Sequence, residues 1–258
     1  MTSRQIFARR YAFVVVVALS LVYWLAVLSS PKVVPPPPPL QEIVDLRALS
    51  EQGDRTAQLA LASRYAAGRD VPKDDVEATR WYREAAAQGD RSAQLVLANR
   101  YAEGLGVPQD DVEAARWYRE AAAQGDVVAQ LALGAIHAAG RGGVKDENAA
   151  AEWYHQAAEQ GDVEALAWLR ETAERSVATA QVALGAMYAA GHGVPQDDVE
   201  AVEWYRRAAE RGSVEAQVSL GVLYAEGRGV VQDEAEAVRW YRMATEQGDV
   251  AAEVNLGA

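Results

Sequence analysis

The sequence predicts an all-α fold, an α/α solenoid of about five 36-residue helix-turn-helix repeats preceded by one transmembrane helix. Trp recurs at intervals of 36, 36, 51 and 36 residues, beginning at Trp81 and ending at Trp240. The copy that begins at Ala57 differs from the copy that begins at Ala93 at only 9 of 36 positions. Units of this period bury their apolar faces against their neighbours, so they predict an elongated stack. A third observation, an apolar stretch near the N-terminus, predicts the membrane helix.

Residues 11–28 form that stretch, in which only Ser20 is polar. As a helix it would be about 27 Å long, close to the roughly 30 Å hydrocarbon core of a bilayer. Three arginines precede it and no basic residue follows immediately. This asymmetry predicts a basic cytoplasmic N-terminus at 1–10, a signal anchor at 11–28 and repeats on the extracytoplasmic side. The alternative is a cleaved signal peptide, although only a poor small-x-small site follows the stretch.

A Pro-rich segment at 29–39 joins this stretch to the repeats and contains five consecutive prolines, Pro35–Pro39. Proline lacks a backbone N–H and is held near the polyproline II conformation, which rises about 3.1 Å per residue. We interpret the segment as a stiff spacer that holds the repeats away from the bilayer. A ligand for a proline-binding domain is the alternative interpretation.

Each repeat reads as two helices, A and B. In helix A, Ala, Leu, a small residue and Tyr recur at relative positions 0, 4, 5 and 8, which lie on one helical face. Helix A ends at a Gly, and a second Gly follows two residues later, as in Gly104 and Gly106. Helix B begins at an Asp followed three residues later by Glu, as in Asp110 and Glu113. This spacing predicts a capping box, in which the Glu reaches back to the Asp N–H.

These signals divide the chain after the linker into eight units. The units are an N-terminal capping helix at 40–56, repeat 1 at 57–92, repeat 2 at 93–128, repeat 3 at 129–164, a partial repeat at 165–179, repeat 4 at 180–215, repeat 5 at 216–251 and a truncated C-terminal helix at 252–258.

The partial repeat accounts for the irregular spacing of 51 residues between Trp153 and Trp204. Residues 168–180 align with residues 117–129, which predicts a single helix B without its own helix A. Ser176 replaces the Gly that normally ends this helix, so we expect the helix to continue or bend there. The irregularity is either a recombination scar or a hinge that changes the direction of the groove between repeats 3 and 4.

The repeated pattern A-x-x-x-L-G/A-x-x-Y-x-x-G-x-G-V-P-Q-D-D-x-E-A-x-x-W-Y-x-x-A-A-x-x-G resembles the Sel-like repeat family, a relative of the tetratricopeptide repeat. The resemblance covers residues 57–258. It implies a right-handed superhelix of antiparallel helix pairs whose concave face, lined largely by A helices, binds protein partners. Members of such families act as adaptors and scaffolds, and few are enzymes.

Composition narrows the possible functions. The chain has no Cys, and its three His residues show no spacing typical of a metal site or a catalytic triad. We therefore expect no catalytic residue, no cofactor and no bound metal. Residues 32–258 contain 22 basic and 37 acidic residues, a net charge of −15, which disfavours nucleic acid as a partner.

The resemblance places partner contacts at relative positions 2, 6 and 10 of helix A, where the copies differ. These side chains are small and mostly uncharged, which predicts a shallow, mildly apolar groove suited to a helix or an extended peptide. The candidate partner-binding residues are Ser63, Leu95, Asn99, Glu103, Leu131, Ala135, Val182, Ala186, Val218, Val222 and Glu226.

The function predicted from these features is a membrane-anchored scaffold for protein–protein interaction. It would be a single-pass inner-membrane protein that displays its repeats in a bacterial periplasm and binds an envelope protein or peptide. The alternatives are a secreted repeat effector with a cleaved signal peptide, and a cell-envelope hydrolase or its accessory.

Overall fold

The computed structural model describes residues 40–256, a range that contains thirteen α-helices and no strand. The helices are α1 (Leu40–Glu51), α2 (Arg55–Ala67), α3 (Asp75–Ala87), α4 (Arg91–Glu103), α5 (Asp111–Ala123), α6 (Val127–Ala139), α7 (Glu147–Glu159), α8 (Val163–Glu174), α9 (Ala178–Ala190), α10 (Asp198–Ala209), α11 (Val214–Glu226), α12 (Glu234–Thr245) and α13 (Val250–Leu256). The predicted membrane helix and Pro-rich linker lie outside the described residues. Within the described range, every helix is too short or too polar to cross a membrane.

The helices form a one-dimensional stack of hairpins. The A helices are α2, α4, α6, α9 and α11, and each packs most extensively on the B helix that follows it. Each of them also packs on the helix that precedes it, and α9 packs in addition on α7, across α8. The all-helical repeat architecture predicted from the Trp spacing is thereby confirmed for this part of the chain.

The first Asp of each helix B caps the helix, but the predicted capping box is incomplete. Asp110 Oδ1 accepts hydrogen bonds from the backbone N–H groups of Val112 at 2.9 Å and Glu113 at 3.1 Å. The Asp110 N–H donates instead to the carbonyl of Tyr101, at 2.9 Å, at the end of the preceding helix A. Glu113 is therefore free to pair with Arg116, whose Nε lies 3.7 Å from Glu113 Oε2. The prediction that the Glu reaches back was wrong, because the turn already satisfies that donor.

The core of each unit is built on one leucine and one tight tyrosine contact. The Leu at relative position 4 is fully buried in all five repeats: Leu61, Leu97, Leu133, Leu184 and Leu220. Beside it, the small residue at position 5 lies under the Tyr of helix B. A Cβ added at Gly134 would lie 2.8 Å from the Tyr154 ring, so the ring packs directly against the backbone of helix A there.

Buried glutamines connect successive units. In repeat 2, Gln94 Nε2 donates to the Ala86 carbonyl of the preceding helix B at 3.3 Å, while its Oε1 accepts from Gln124 Nε2 at 2.7 Å. Repeat 4 keeps the first bond, from Gln181 to the Ala173 carbonyl. Arg211 stands where the second Gln would be and donates to Ser176 Oγ at 2.8 Å. As a result, the buried Oε1 of Gln181 has no hydrogen-bond partner within the described structure.

Helix α8, the single helix between repeats 3 and 4, is a hybrid of helix A and helix B. Its first half begins at the capping residue Asp162, and Leu169 is fully buried at the position of the helix A leucine. Its second half behaves as a helix B, because Arg170 donates to the Tyr188 hydroxyl at 3.0 Å as Arg83 donates to Tyr101. The prediction of a pure helix B was therefore incomplete.

This helix also stops where the sequence predicted that it would continue or bend. It ends at Glu174, and Ser176 adopts the left-handed conformation with φ of 70°, the region that Gly occupies in the other units. Ser tolerates this conformation at a cost of about 1 kcal/mol. Backbone hydrogen bonds at the end of α8 and packing against the neighbouring helices offset this strain.

The hybrid helix reverses the direction of the A helices that follow it. In the regular part, Gly106 after α4 approaches the Asp75 carbonyl at the start of α3, so the two helices are antiparallel. At the junction, Gly193 after α9 approaches Ala158 at the end of α7 instead. Because the ends of α9 and α7 lie together, these two helices are parallel. One extra helix therefore inverts repeats 4 and 5 relative to repeats 1–3.

We predict that Gly106→Ala destabilises the fold much more than Gly89→Ala. Both glycines have positive φ, of 71° and 81°, but a Cβ on Gly106 would lie 2.0 Å from the Asp75 carbonyl oxygen, whereas Gly89 has open space around it. The expected losses in unfolding free energy are about 3 kcal/mol or more for Gly106→Ala and about 1 kcal/mol for Gly89→Ala. Urea denaturation followed by circular dichroism measures both. Equal losses would contradict the close approach between units.

Candidate protein-binding surface

The predicted partner-binding residues lie on the outward side of the A helices, which we call the A-helix surface. It consists of relative positions 2, 3, 6 and 10 of α2, α4, α6, α9 and α11. Three of the eleven predicted residues are exposed: Ser63, Glu103 and Glu226. Seven are half-buried: Leu95, Asn99, Leu131, Ala135, Ala186, Val218 and Val222.

Val182 is the exception, because it is buried, with only 7% of its surface exposed. It lies in α9, in a cluster with Val202 and Tyr205 of α10. Helix α9 packs on α7 and α8 as well as on α10, so it has less free surface than the other A helices. Val182 is therefore a core residue, and the prediction that it contacts a partner was wrong.

Tyrosines of the B helices form hydrogen bonds with polar residues of the A-helix surface. The Tyr118 hydroxyl donates to Asn99 Oδ1 at 2.5 Å. Burial raises the pKa of Tyr118 above its ordinary value, and the nearby Arg141 only partly opposes this. Burial likewise raises the pKa of Tyr205, which hydrogen-bonds to Ser219. These hydroxyls therefore remain protonated at neutral pH and position their partners on the surface.

Two adjoining cavities open on the A-helix surface at α11. One, of about 220 Å³, is lined by Ala189, Tyr205, Val218, Ser219, Val222, Leu223 and Arg228. The other, of about 370 Å³, is lined by Val214, Glu215, Val218, Ser219, Asp249 and Ala251. Val218 and Val222 were predicted from the sequence, whereas Glu215, Ser219 and Asp249 were not, because only positions 2, 6 and 10 were considered.

Acidic residues at the start of the B helices link one unit to the next. In repeats 1 and 4, the second residue of the acidic pair is not a cap but bonds to an arginine of the following unit. Asp75 Oδ1 lies 2.7 Å from Arg100 Nη2, and Asp198 Oδ1 lies 2.7 Å from Arg228 Nη2. The hydrogen bond from Arg100 is the main cause that holds the pKa of Asp75 below its ordinary value. Asp75 therefore remains ionised at neutral pH and has a structural role.

Two of the three histidines lie near the same carboxylate, that of Glu159. His155 Nε2 and His192 Nδ1 each lie 3.5 Å from Glu159 Oε1, at the junction of α7 with the turn after α9. Among residues 40–256, no group of His, Asp and Glu side chains has a geometry that could hold a metal ion.

Comparison with known proteins identifies the repeat. The family model described as the Sel1 repeat matches residues 56–90, 91–126, 127–162, 178–213 and 214–249, which is more than half of the chain, and the matches leave out the whole of α8. No curated protein sequence matches the chain.

Several solved structures are similar to the chain. The protective antigen c5321 of uropathogenic Escherichia coli, described as displaying an SLR fold, is 34% identical over 83% of this chain and 50% of its own, with a TM-score of 0.45. This chain therefore spans only half the length of that protein. A Sel1 repeat protein from Oxalobacter formigenes is 33% identical over 82% of this chain and 81% of its own, with a TM-score of 0.44. The cysteine-rich protein B of Helicobacter pylori is 24% identical over 43% of this chain and 96% of its own, with a TM-score of 0.34.

We predict that Asp75→Asn destabilises the protein by about 2 kcal/mol at pH 7, and that Asp198→Asn has a smaller effect. The two acids make ion pairs of equal length, but only 6% of the Arg100 side chain is exposed, against 38% of the Arg228 side chain. Removing the Asp75 charge leaves the buried Arg100 guanidinium without its ion-pair partner, whereas the more exposed Arg228 guanidinium can hydrogen-bond to water. Urea denaturation of both variants tests this difference.

The effect of Asp75→Asn should depend on pH in one direction. Because the pKa of Asp75 is lowered in the fold, its contribution is complete above the unfolded pKa, about 3.9, and is lost as the pH falls through the lower folded value. The stability difference between the variant and the parent chain should therefore shrink as the pH falls below about 4. A constant difference down to pH 2 would show that the ionised carboxylate is not its source.

Proposed function

This chain belongs to the Sel1 repeat family, and from that premise we propose that it is a membrane-anchored scaffold whose A-helix surface binds an envelope protein or peptide. Sel1 repeat proteins are generally non-enzymatic and mediate protein–protein interaction. The partner and the membrane location are our proposals for this chain.

The observation that carries the proposal is the contrast between constant packing positions and variable surface positions. Position 4 of helix A is Leu in all five repeats, where it is fully buried. Position 6, on the A-helix surface, is Ser63, Asn99, Ala135, Ala186 or Val222 in successive repeats. Stacking of the repeats requires the same buried residue at position 4 of every unit. Recognition of a particular partner requires position 6 to differ from one repeat to the next.

Site-specific photo-crosslinking in intact cells tests the binding surface. We expect a photoreactive amino acid at Glu103 or at Val222 to give the same discrete adducts with a protein partner. The matched control is Glu120, an exposed residue on helix B of repeat 2, which should give none of these adducts. Equal adducts from Glu120 would contradict the A-helix surface as the binding site.

The proposed membrane topology rests on the sequence of the first 39 residues. The apolar length of residues 11–28 and the three preceding arginines support an uncleaved anchor with a cytoplasmic N-terminus. The acidic repeats would then project into the periplasm on the Pro-rich spacer. The secreted-effector alternative requires cleavage after the same apolar stretch.

Cysteine labelling distinguishes these alternatives cleanly, because the chain has no Cys of its own. In cells with a permeabilised outer membrane, we expect a membrane-impermeant maleimide to label a Thr56→Cys variant. A Ser3→Cys variant should react only after the inner membrane is opened. A mature protein that lacks residues 1–30 would support the secreted effector instead, and labelling of Ser3→Cys in closed cells would contradict the orientation.

A further inference from the structure

Repeats 1 and 2 each contain an exposed arginine beside the Asp that caps helix A of the next unit. Arg55 Nε lies 3.6 Å from Asp90 Oδ2, and Arg91 Nε lies 3.9 Å from Asp126 Oδ2. The other oxygen, Oδ1, caps the helix: Asp90 Oδ1 accepts from the Ala93 N–H at 2.9 Å. Asp90 thus caps its helix with one carboxylate oxygen and forms an ion pair with an arginine of the preceding repeat through the other.

Repeat 5 keeps the carboxylate but lacks the arginine. Asp249 Oδ1 caps α13 by accepting from the Ala252 N–H at 2.8 Å. The residue at the arginine position is Val214. Within residues 40–256, no basic side chain lies within ion-pair distance of Asp249, and Val214 and Asp249 instead line the cavity of about 370 Å³. The position that an exposed arginine occupies in repeats 1 and 2 is therefore beside a cavity here.

Repeat 3 carries the same substitution. Val127 is half-buried and packs, with Leu131 and Leu166, on the cluster that surrounds α8. Val214 is likewise half-buried and packs on the cluster of Ala237, Tyr241, Ala244 and Ala252, whereas Glu215 beside it is exposed. In repeat 5, Val214 and Glu215 line the cavity of about 370 Å³ together with Asp249.

An apolar cavity adjoins this position. The cavity of about 220 Å³ shares Val218 and Ser219 with it and is lined further by Val222, Leu223 and Tyr205. The cation nearest to this apolar site, Arg228, is already neutralised by Asp198 at 2.7 Å. Glu215 adds a second carboxylate to the open position. The pair of cavities therefore combines a site for a positive charge with an adjacent site for an aliphatic side chain.

We propose that these two cavities form a docking site for a partner peptide segment that carries an arginine close to a leucine or isoleucine. The guanidinium occupies the position that Arg55 and Arg91 occupy in repeats 1 and 2, between Asp249 and Glu215. The aliphatic side chain enters the cavity beneath Val222. The net charge of −15 on residues 32–258 favours the approach of such a basic segment. This inference rests on the proposed scaffold function and specifies its partner chemistry.

The first test compares three fluorescein-labelled peptides for binding to the full chain in detergent, by fluorescence anisotropy. The parent peptide is Gly-Ser-Arg-Ala-Leu-Gly-Ser with blocked ends. One variant replaces the arginine by citrulline, which keeps its shape and removes its charge, and the other replaces the leucine by serine. We expect each replacement to weaken binding at least about fivefold. Equal affinity of the citrulline peptide would overturn the proposed charge site.

The second test fills the open position from within the chain. Val214→Arg should supply the arginine that repeats 1 and 2 already contain and weaken binding of the parent peptide at least about tenfold. The matched control is Val163→Arg, which makes the same change at the exposed first residue of α8. It should leave the affinity unchanged. Glu215→Gln, an exposed substitution that leaves the fold intact, should weaken binding about threefold or more.

The outcomes separate this inference from the scaffold function. Unchanged peptide binding by Val214→Arg would overturn the docking site. If the peptide fails to bind while Val222 still crosslinks to a partner in cells, the peptide chemistry is wrong and the scaffold function stands. If the peptide does not bind and Val222 does not crosslink to a partner, both proposals are rejected.

Discussion

The constraint on which this structure depends is that one 36-residue hairpin cannot bury its own apolar surface. Each unit completes its core only when the next unit stacks on it, which requires close backbone approach between units. Gly106 meets the first turn of α3 at a distance that excludes any side chain. The glutamine bonds and the acid–arginine pairs also lie between successive units, as in Gln94 with the Ala86 carbonyl and Arg100 with Asp75. Stability and surface shape therefore follow from the same repeated interface.

The junction at α8 shows what happens when this repetition is interrupted. The helix begins as a helix A and ends as a helix B, as if the turn between the two had been removed. Both halves keep their own contacts, since Leu169 is buried and Arg170 reaches Tyr188. The stack remains continuous, but an odd number of helices inverts repeats 4 and 5. The two interpretations, a recombination scar and a hinge, both agree with this change of direction.

Repetition also makes departures from the pattern informative. The sequence indicated that the repeated acids are helix caps, and the first Asp of each pair confirms this. The second acid can bond to an arginine of the next unit, as Asp75 does to Arg100. The sequence of one repeat does not indicate this role, because the partner lies in another repeat. Likewise, Val214 becomes informative only by comparison with Arg55 and Arg91, which occupy the equivalent position in repeats 1 and 2. Differences between structurally matched positions thus point to the part of the surface that is specialised.

The sequence by itself determined the repeat period, the helix hairpin, the capping Asp residues, the glycine turns and the family, because these features are local and recur in every copy. Helical periodicity also separated the fully buried positions of helix A from ten of the eleven candidate residues, which are exposed or half-buried. Only the tertiary structure decided the reversal after α8, the burial of Val182, the partners of the second acids and the open position beside Asp249. These features depend on which side chains meet between units about 35 residues apart, and that depends on stacking geometry, which no local pattern encodes.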